Sequence, residues 1–333
     1  MKTLFDKTTL NGMTLKNRFI RAAIGDNASR SQIGKEILDR YEKIASGGAG
    51  VIITGFTLTN EIEKGYSAIP AFYNDSFFDG HKKLVDLVHS RDCAIVLQLA
   101  HIGSYSSVAF HKTAKRLVGK IRVLAPSAVQ NAIAGILPEE ITLDEINNAQ
   151  NQFAQAALRA KNAGYNGVEL HAAHGFFLSN FMSPYYNRRK DQYGGSTENR
   201  ARMSLETYDR VRSAVGDDFP IWIKINVMDD YKIPLVFDDA LYLCKKLTER
   251  GINAIEVSGA WRNFDERSAA YFKKEAEIIA DQNDTALILT GGNRDFERMT
   301  EILNSTKIEY FAMARAFMKE PNIIDRFARE YNR

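Results

Sequence analysis

The segment from Thr142 to Leu170, TLDEINNAQNQFAQAALRAKNAGYNGVEL, contains the unit from which this chain is built. Thr142 and Asp144 can cap the start of a helix, and Gly164 is typical of the residue that follows a helix end. Between them, apolar residues recur at helical spacing and predict one buried face: Phe153, Ala156, Ala157 and Ala160. The apolar run Gly167–Leu170 then predicts a buried strand, so the segment is one helix followed by one strand.

The same alternation recurs along the whole chain. The apolar runs are Phe19–Ala23, Val51–Thr54, Ala94–Leu99, Gly167–Leu170, Ile221–Ile225, Ala254–Ser258, Ala286–Thr290 and Tyr310–Ala314. Amphipathic helical stretches lie near 36–46, 77–91, 143–163, 199–215, 238–250, 271–282, 295–304 and 320–331. Strands that alternate with helices pair in parallel through right-handed crossovers. Eight such units favour a closed (β/α)8 TIM barrel over an open sheet.

The remaining organisation is simple. No linker or change of composition interrupts the chain, so we predict that residues 1–333 form a single domain. The segment Leu4–Leu15 contains the turn signal Asn11-Gly12 and predicts a β-hairpin that caps the bottom of the barrel.

Composition and charge exclude several classes of protein. The 333 residues are 45% hydrophobic and 26% charged, which supplies a core and excludes wholesale disorder. The net charge of +3 gives no basic excess that would indicate a nucleic-acid partner. No apolar run reaches the ~18 residues of a membrane span, and the start lacks a signal-peptide core. Cys93 and Cys244 are too few for a disulfide framework and are predicted to be buried free thiols. We expect a cytoplasmic protein without a membrane partner.

Polar residues stand where the predicted strands end. Gln98, Lys224 and Ser258 close their strands, while His171 and Arg315 directly follow theirs. In a barrel of this kind, the active site is built at the carboxyl ends of the strands, so we expect these side chains to converge there. Lys224 lies among apolar strand residues, where an uncompensated charge is costly. It could be a Schiff-base nucleophile or a fixed cation beside a ligand that becomes negative, and the residues alone leave both readings open.

Two further motifs predict ligands at the same rim. Gly291-Gly292, after the seventh strand, and Ala314-Arg315, after the eighth, form a pattern that can bind a phosphate through backbone N–H groups and a guanidinium. His171 and His174 have no third ligand at zinc-like spacing, so we predict no metal there. Two neutral histidines can instead donate hydrogen bonds to a carbonyl or phenolate oxygen.

The segment 171–184, HAAHGFFLSNFMSP, strongly resembles the signature of the old yellow enzyme–type NADH:flavin oxidoreductases. The resemblance continues through 187–196, NRRKDQYGGS, and includes 15–18, LKNR, and 98–101, QLAH. It implies a TIM barrel that binds FMN. The phosphate would lie at Gly291, Gly292, Ala314 and Arg315, and Ala23 and Gly25 would lie beside the flavin. Gln98 would hold its pyrimidine edge, and Lys224 would lie near N1 and the C2 oxygen. His171 and His174 would bind an oxygen of the substrate, and NADH or NADPH would act as diffusible reductant.

The chain departs from the family pattern at three places. The tyrosine that donates a proton to the substrate in the family is Phe176 here, which has no proton to give. Tyr66 and Tyr105 are possible substitutes. Gly25 stands where the family has a side-chain donor beside the flavin, so we expect an altered flavin potential. Ser104 replaces an arginine.

The function expected from this resemblance is an FMN-dependent reductase that uses NADH or NADPH to reduce a small electrophile, either a quinone or an activated alkene. The chain ends at Arg333 after its eighth helix, so we expect it to lack the iron–sulfur and dinucleotide-binding module of larger relatives. Phe176 leaves open an alternative, a flavin-binding protein with little turnover. A Schiff-base aldolase that uses Lys224 is the third reading. A homo-oligomer is possible, since barrels often pair.

Overall fold

Eight parallel strands form a closed barrel in the computed structural model, which describes residues 1–26, 28–61, 68–105, 122–259 and 269–331. The barrel strands are β3 (Phe19–Arg21), β4 (Val51–Ile53), β6 (Ala94–Ala100), β9 (Gly167–Ala172), β10 (Ile221–Asn226), β11 (Ala254–Ser258), β12 (Ala286–Thr290) and β13 (Tyr310–Met313). They pair in the order β4-β3-β13-β12-β11-β10-β9-β6, and β4 pairs with β6 to close the ring. The predicted TIM barrel is therefore confirmed.

Helices surround this barrel. They are α1 (Lys35–Ser46), α2 (Phe78–His89), α3 (Leu143–Asn162), α4 (Phe177–Met182), α5 (Thr197–Val215), α6 (Phe237–Thr248), α7 (Lys273–Gln282), α8 (Phe296–Ser305), α9 (Arg315–Lys319) and α10 (Ile323–Tyr331). Short additional strands are β5 (Thr57–Leu58), which extends the sheet beside β6, and the pair β7 (Leu124–Ala125) and β8 (Glu139–Glu140).

An N-terminal hairpin closes the bottom of the barrel, as predicted. It consists of β1 (Thr8–Leu10) and β2 (Met13–Leu15). The turn residues Asn11 and Gly12 have φ of 51° and 82°, the left-handed values that a tight two-residue hairpin requires. Leu10, Met13 and Leu15 belong to the same apolar cluster as Trp222, and the indole N–H of Trp222 donates to Oδ1 of Asn11 at 3.1 Å.

Alternation along the strands decides which side chains reach the barrel interior. In β10, Trp222 belongs to the inner apolar cluster, whereas Ile221 and Ile223 belong to the outer cluster that packs against the helices. Side chains alternate along a strand, and Lys224 lies two residues after Trp222, so Lys224 faces the barrel interior as Trp222 does. The interior is thus apolar at the bottom and becomes polar toward the carboxyl ends of the strands.

Three strands run further than the sequence predicted. β6 continues to Ala100, β9 to Ala172 and β10 to Asn226. Gln98, His171 and Lys224 therefore lie within strands. The prediction that Gln98 and Lys224 close their strands was wrong, as was the prediction that His171 follows its strand. The strand ladder, rather than a loop, fixes their positions.

Other predictions can be compared directly. The side chain of Thr142 accepts from the backbone of Glu145 and forms a capping box with it, so Thr142, and not Asp144, caps α3. Cys93 and Cys244 are buried and free, as predicted. Within the described residues, no helix has the length and apolarity needed to cross a membrane. The single-domain assignment over residues 1–333 stays a prediction.

Candidate active site

A layer of polar side chains lies above the apolar interior of the barrel. Its members come from neighbouring strands: Gln98 of β6, Glu169 of β9, Lys224 of β10, Glu256 of β11 and Thr290 of β12. Gln98 is paired with Glu169 in the register of β6 and β9, and Lys224 is paired with Glu256 in that of β10 and β11. Two residues predicted from the sequence, Gln98 and Lys224, are thus accompanied by two carboxyl groups to which sequence reasoning gave no role.

Glu256 is the anion that balances Lys224. The ammonium nitrogen of Lys224 donates to Oε1 of Glu256 at 2.8 Å, with the two side chains 3% and 0% exposed. The hydroxyl of Thr290 donates to the same oxygen. Burial by itself raises the pKa of Glu256, but Lys224 and the hydrogen bonds from Glu169, Lys224 and Thr290 outweigh it and lower that pKa. The lysine charge is therefore paired, as a buried charge must be.

Glu169 holds the amide of Gln98. Nε2 of Gln98 donates to Oε2 of Glu169 at 2.7 Å, and both residues are buried. Burial, together with the negative charge of Glu256, raises the pKa of Glu169 well above its usual value. The two carboxyl groups are thus perturbed in opposite directions, with the charged form disfavoured at Glu169 and favoured at Glu256.

Two histidines lie next to this layer. His171 is paired with Lys224 in the register of β9 and β10, and its ring centroid lies 5.3 Å from that of His174. His174 has φ of 62°; its backbone N–H donates to Oδ1 of Asn226 at 3.1 Å, and its Nε2 lies 2.9 Å from Oγ of Ser258. The structure thus brings together the two histidines predicted from the sequence.

Both histidines are neutral at physiological pH. Burial, reinforced by the charge of Lys224, lowers the pKa of His174 to about 3. Burial and the neighbouring His174 and Lys224 lower the pKa of His171 well below its ordinary value. A neutral imidazole can donate from one nitrogen and accept at the other. Nδ1 of His171 is buried and has no hydrogen-bond partner among the residues that the structure describes, so a bound molecule can take that position.

Aromatic rings form one wall of the site. The ring of Phe176 lies 4.4 Å from His171, 5.1 Å from Phe56 and 5.4 Å from Tyr105, on which it stacks. Phe176 is 3% exposed. Burial raises the pKa of Tyr105, so its phenol keeps its proton at neutral pH. Tyr66, the other tyrosine considered from the sequence, lies outside the described residues.

A buried carboxylate fixes the loop that follows β3 and contains Ala23 and Gly25. Asp26, in the same loop, accepts hydrogen bonds from Arg40 at 2.8 Å and from the backbone N–H of Gly55 at 3.0 Å. The hydroxyl of Tyr41 also donates to it. Asp26 thereby ties the loop to the segment that follows β4, although sequence reasoning had not singled it out.

The predicted phosphate motif lies at the carboxyl ends of β12 and β13. Gly291 and Gly292 have φ of 111° and 74°, and a Cβ on Gly291 would lie 3.1 Å from the ring of Tyr271. Both glycine carbonyls accept backbone hydrogen bonds, whereas neither glycine N–H donates to a protein acceptor among the described residues. Ala314 and Arg315 lie on the neighbouring strand end, where Arg315 begins α9. Free N–H groups at this position fit an anion.

Comparison with known proteins identifies the family. The model of the NADH:flavin oxidoreductase / NADH oxidase family matches residues 3–333. The chain belongs to this family. The resemblance drawn from the sequence is thereby confirmed, and the oxidoreductase class is that of the family.

Individual relatives agree with this assignment. The chain is 30% identical to an NADPH dehydrogenase of Bacillus subtilis, over 99% of this chain and 96% of the relative. It is 28% identical to an NADH oxidase of Thermoanaerobacter brockii, over 96% of this chain and 49% of that protein. The chain thus spans about half the length of some curated relatives that it matches. Among solved structures, morphinone reductase in complex with tetrahydroNAD has a TM-score of 0.82 and 28% identity, covering 98% of this chain and 91% of that one.

FMN is the cofactor of this family, with NADH or NADPH as reductant, and the residues present fit that group. The fit rests on the glycine N–H groups beside Arg315, which suit a phosphate, and on the carbonyl oxygen of Gln98, which the bond to Glu169 leaves for another donor. Lys224 uses one N–H on Glu256 and supplies a cation for a ring system that becomes negative on reduction. Within the described residues, no group of three His, Cys, Asp or Glu side chains could hold a metal ion.

Proposed function

We propose that this protein is an FMN-dependent oxidoreductase that uses NADH or NADPH to reduce a small electrophile, in alternating half-reactions at one site. The observation that carries the proposal is the buried, ion-paired Lys224 placed in register with the neutral histidine His171. Such a site provides a cation for a cofactor that gains negative charge and neutral donors for a substrate oxygen. Bound FMN would supply the hydride transfer from the nicotinamide to the substrate.

The chain's own residues would perform three tasks. Gln98 and Lys224 would bind the polar edge of the flavin, while Gly291, Gly292, Ala314 and Arg315 would bind its phosphate. Ala23 and Gly25 would contact the ring through the loop that Asp26 fixes. His171 and His174 would bind and polarise the substrate oxygen; because both are neutral, each keeps one nitrogen that can donate without adding a charge to the site.

We infer that quinones are better substrates than simple enones. Reduction of an enone requires a proton at carbon, and Phe176, beside His171, cannot supply one. Reduction of a quinone requires protons only at oxygen, which exchange readily with water. The aromatic wall of Phe56, Phe176 and Tyr105 also favours a flat, apolar ring. For enones, the proton would come from water or from Tyr105, whose ring stacks on Phe176.

The ion pair argues against the aldolase reading. Schiff-base formation requires a lysine amine that is free to attack a carbonyl, whereas the amine nitrogen of Lys224 is held 2.8 Å from the buried carboxylate of Glu256. Covalent trapping of a carbonyl substrate on Lys224 by borohydride would contradict this argument. Oligomeric state and cellular compartment stay predictions.

The first experiment is a visible spectrum of the purified protein, followed by anaerobic titration with NADPH and with NADH. A flavin band that bleaches supports the proposal. A bound flavin that stays oxidised favours the alternative of a flavin-binding protein with little turnover, and failure to bind added FMN would refute the cofactor assignment.

The second experiment separates the substrates. Consumption of NAD(P)H is measured with a benzoquinone and with a cyclic enone at matched concentrations. We expect kcat/KM to be larger for the quinone, and a larger value for the enone would overturn the inferred preference.

A further inference from the structure

The two buried carboxyl groups below the proposed flavin site leave one oxygen each without a donor. Oε2 of Glu169 accepts from Gln98 at 2.7 Å, and Oε1 of Glu256 accepts from Lys224 at 2.8 Å and from Thr290. The remaining atoms, Oε1 of Glu169 and Oε2 of Glu256, are buried, and neither receives a hydrogen bond from an N–H or hydroxyl donor in the part of the chain that the structure describes. Both side chains are fully buried, so bulk solvent does not reach these oxygens.

A single proton between the carboxyl groups resolves this arrangement. The side chains of Glu169 and Glu256 are hydrogen-bonded to each other. Two ionised carboxylates in this position would repel each other strongly, whereas one acid and one carboxylate form a strong hydrogen bond. The donors decide which group carries the proton. Glu256 receives an ammonium and a hydroxyl, which stabilise an anion, and Glu169 receives only a neutral amide. Glu169 therefore donates its proton to Glu256.

We propose that Glu169 and Glu256 share one proton and act as a positioning pair for the two side chains that face the cofactor, Gln98 and Lys224. The proposal rests on the proposed flavin site and adds to it two residues that would act through Gln98 and Lys224. It has a different consequence for each of the two side chains that the pair holds.

The first consequence concerns the amide of Gln98. A carboxylic acid that donates through one oxygen accepts at the other, so Oε2 of Glu169 can only receive the NH2 group of Gln98. This fixes which end of the amide lies toward Glu169 and leaves the carbonyl oxygen as an acceptor for a ring N–H of the cofactor. If Glu169 were absent, the amide could turn over and present its NH2 group instead.

The second consequence concerns the charge at Lys224. The charges of Lys224 and Glu256 cancel, and a protonated Glu169 adds none, so the three-residue cluster is neutral. The ammonium keeps two N–H donors beyond the one on Glu256, but its field at the cofactor is weakened by the adjacent anion. Glu256 should therefore hold the flavin potential lower than an unpaired lysine would.

Two isosteric substitutions test which carboxyl group carries the shared proton, because one removes the neutral acid and the other removes the anion. Glu169→Gln replaces a neutral acid by a neutral amide that can donate to Glu256 and accept from Gln98. Glu256→Gln removes the anion next to Lys224. The infrared spectrum of wild type should contain the C=O band of one buried carboxylic acid, and the spectrum of E169Q should lack that band. The comparison is made both with and without FMN. The exposed-site control Glu36→Gln should lose no such band.

The flavin potential provides the second measurement, by equilibration with a reference dye. In E256Q we expect the ratio of the affinities for reduced and oxidised FMN to rise at least tenfold, which is about 30 mV for a two-electron couple. In E169Q the ratio should change less than threefold. Equal changes in both variants would refute the assignment, because a purely structural role does not distinguish the two charges.

The infrared comparison requires neither FMN binding nor a folded E256Q protein. If E256Q fails to fold, the band lost in E169Q still decides where the proton lies. If E169Q loses no acid band, the shared proton is refuted whether or not FMN binds. If the band is lost but FMN does not bind, the carboxyl pair stands and the proposed function fails.

Discussion

Acid should destabilise this protein through a histidine that lies outside the candidate active site. His81 of α2 is fully buried, and its ring stacks on Phe72 with centroids 3.9 Å apart. Nε2 lies 3.1 Å from the carbonyl oxygen of Ala71, and Nδ1 lies 2.7 Å from the hydroxyl of Tyr165. A carbonyl can only accept, so Nε2 carries the proton and Nδ1 accepts from Tyr165. The native site thus fits a neutral imidazole.

The size of the effect follows from proton linkage. Burial lowers the pKa of His81 from 6.5 to about 4. Below pH 6.5, the unfolded chain therefore binds a proton that the folded chain does not, and the free energy of unfolding decreases as the pH falls. Each pH unit removes about 1.4 kcal/mol, so His81 should contribute a loss of about 2 kcal/mol between pH 7.5 and pH 5. The loss ends near pH 4, where the folded form also takes up the proton.

The assay is urea unfolding of wild type, His81→Gln and His81→Phe at pH 7.5 and at pH 5. Each variant loses some stability at both values, but only the difference between the two pH values reports the titration of His81. We expect this difference to be about 2 kcal/mol smaller in both variants than in wild type. Other groups that titrate cancel in the comparison. If the three proteins lose the same free energy between pH 7.5 and pH 5, the neutral buried histidine is refuted.

Three further predictions concern the candidate site and the core. Gln98→Leu removes the amide that Glu169 holds. If one hydrogen bond of about 1.4 kcal/mol to the cofactor is lost, the affinity for FMN should fall about tenfold. Fluorescence titration measures this affinity, and an unchanged value would contradict the role of Gln98. Phe176→Tyr places a phenol beside His171. It should raise kcat for a cyclic enone by about 10²-fold, which is the lower end of the rate enhancement that general acid catalysis provides. An unchanged kcat would show that proton supply does not limit the reaction. Burial raises the pKa of both Cys93 and Cys244 to about 12. A disulfide reagent at pH 8 should therefore modify neither thiol in the native protein, and it should modify both thiols after unfolding. Rapid labelling of the native protein would contradict their burial.

Much of the fold could be predicted because each unit is specified locally. The helix that begins at Thr142 has a capping box and an apolar face, and the strand after it is an uninterrupted apolar run. The turn at Asn11-Gly12 requires left-handed backbone at both residues, which favours that pair. Strand ends were less predictable, since the ladder continues through polar residues such as His171 and Lys224 wherever the neighbouring strand supplies a partner.

Short elements escaped prediction for a different reason. Helix α4 (Phe177–Met182) has six residues, all of them buried. An amphipathic pattern cannot arise in a helix that is buried on every side. Strands β7 and β8 have only two residues each, too few to show a period. Their positions depend on contacts between distant segments rather than on local propensity.

Part of the site was visible in the sequence and part was not. Lys224 attracted attention because a charge interrupts an apolar strand, and the same signal was present at Glu169 and Glu256 in β9 and β11. It could have identified the carboxyl pair, but which charges meet depends on strand register. Asp26 shows the same limit, since its partners Arg40 and Gly55 come from other segments.

The structure separates two tasks that a reductase of this kind must perform. In the proposed function, the cofactor edge and one of the two substrate-binding histidines would be held by barrel strands, in which Gln98, His171 and Lys224 lie. Delivery of a proton to carbon would depend on residues outside the strands, because Phe176 offers none and Tyr105 lies in a short 3-10 turn after β6. We therefore expect that substitutions around Tyr105 can alter the range of substrates without changing the strand residues proposed to bind the cofactor edge. A loop-inserted phenol that raises enone turnover while leaving the flavin potential unchanged would support this separation, and a coupled change in both would refute it.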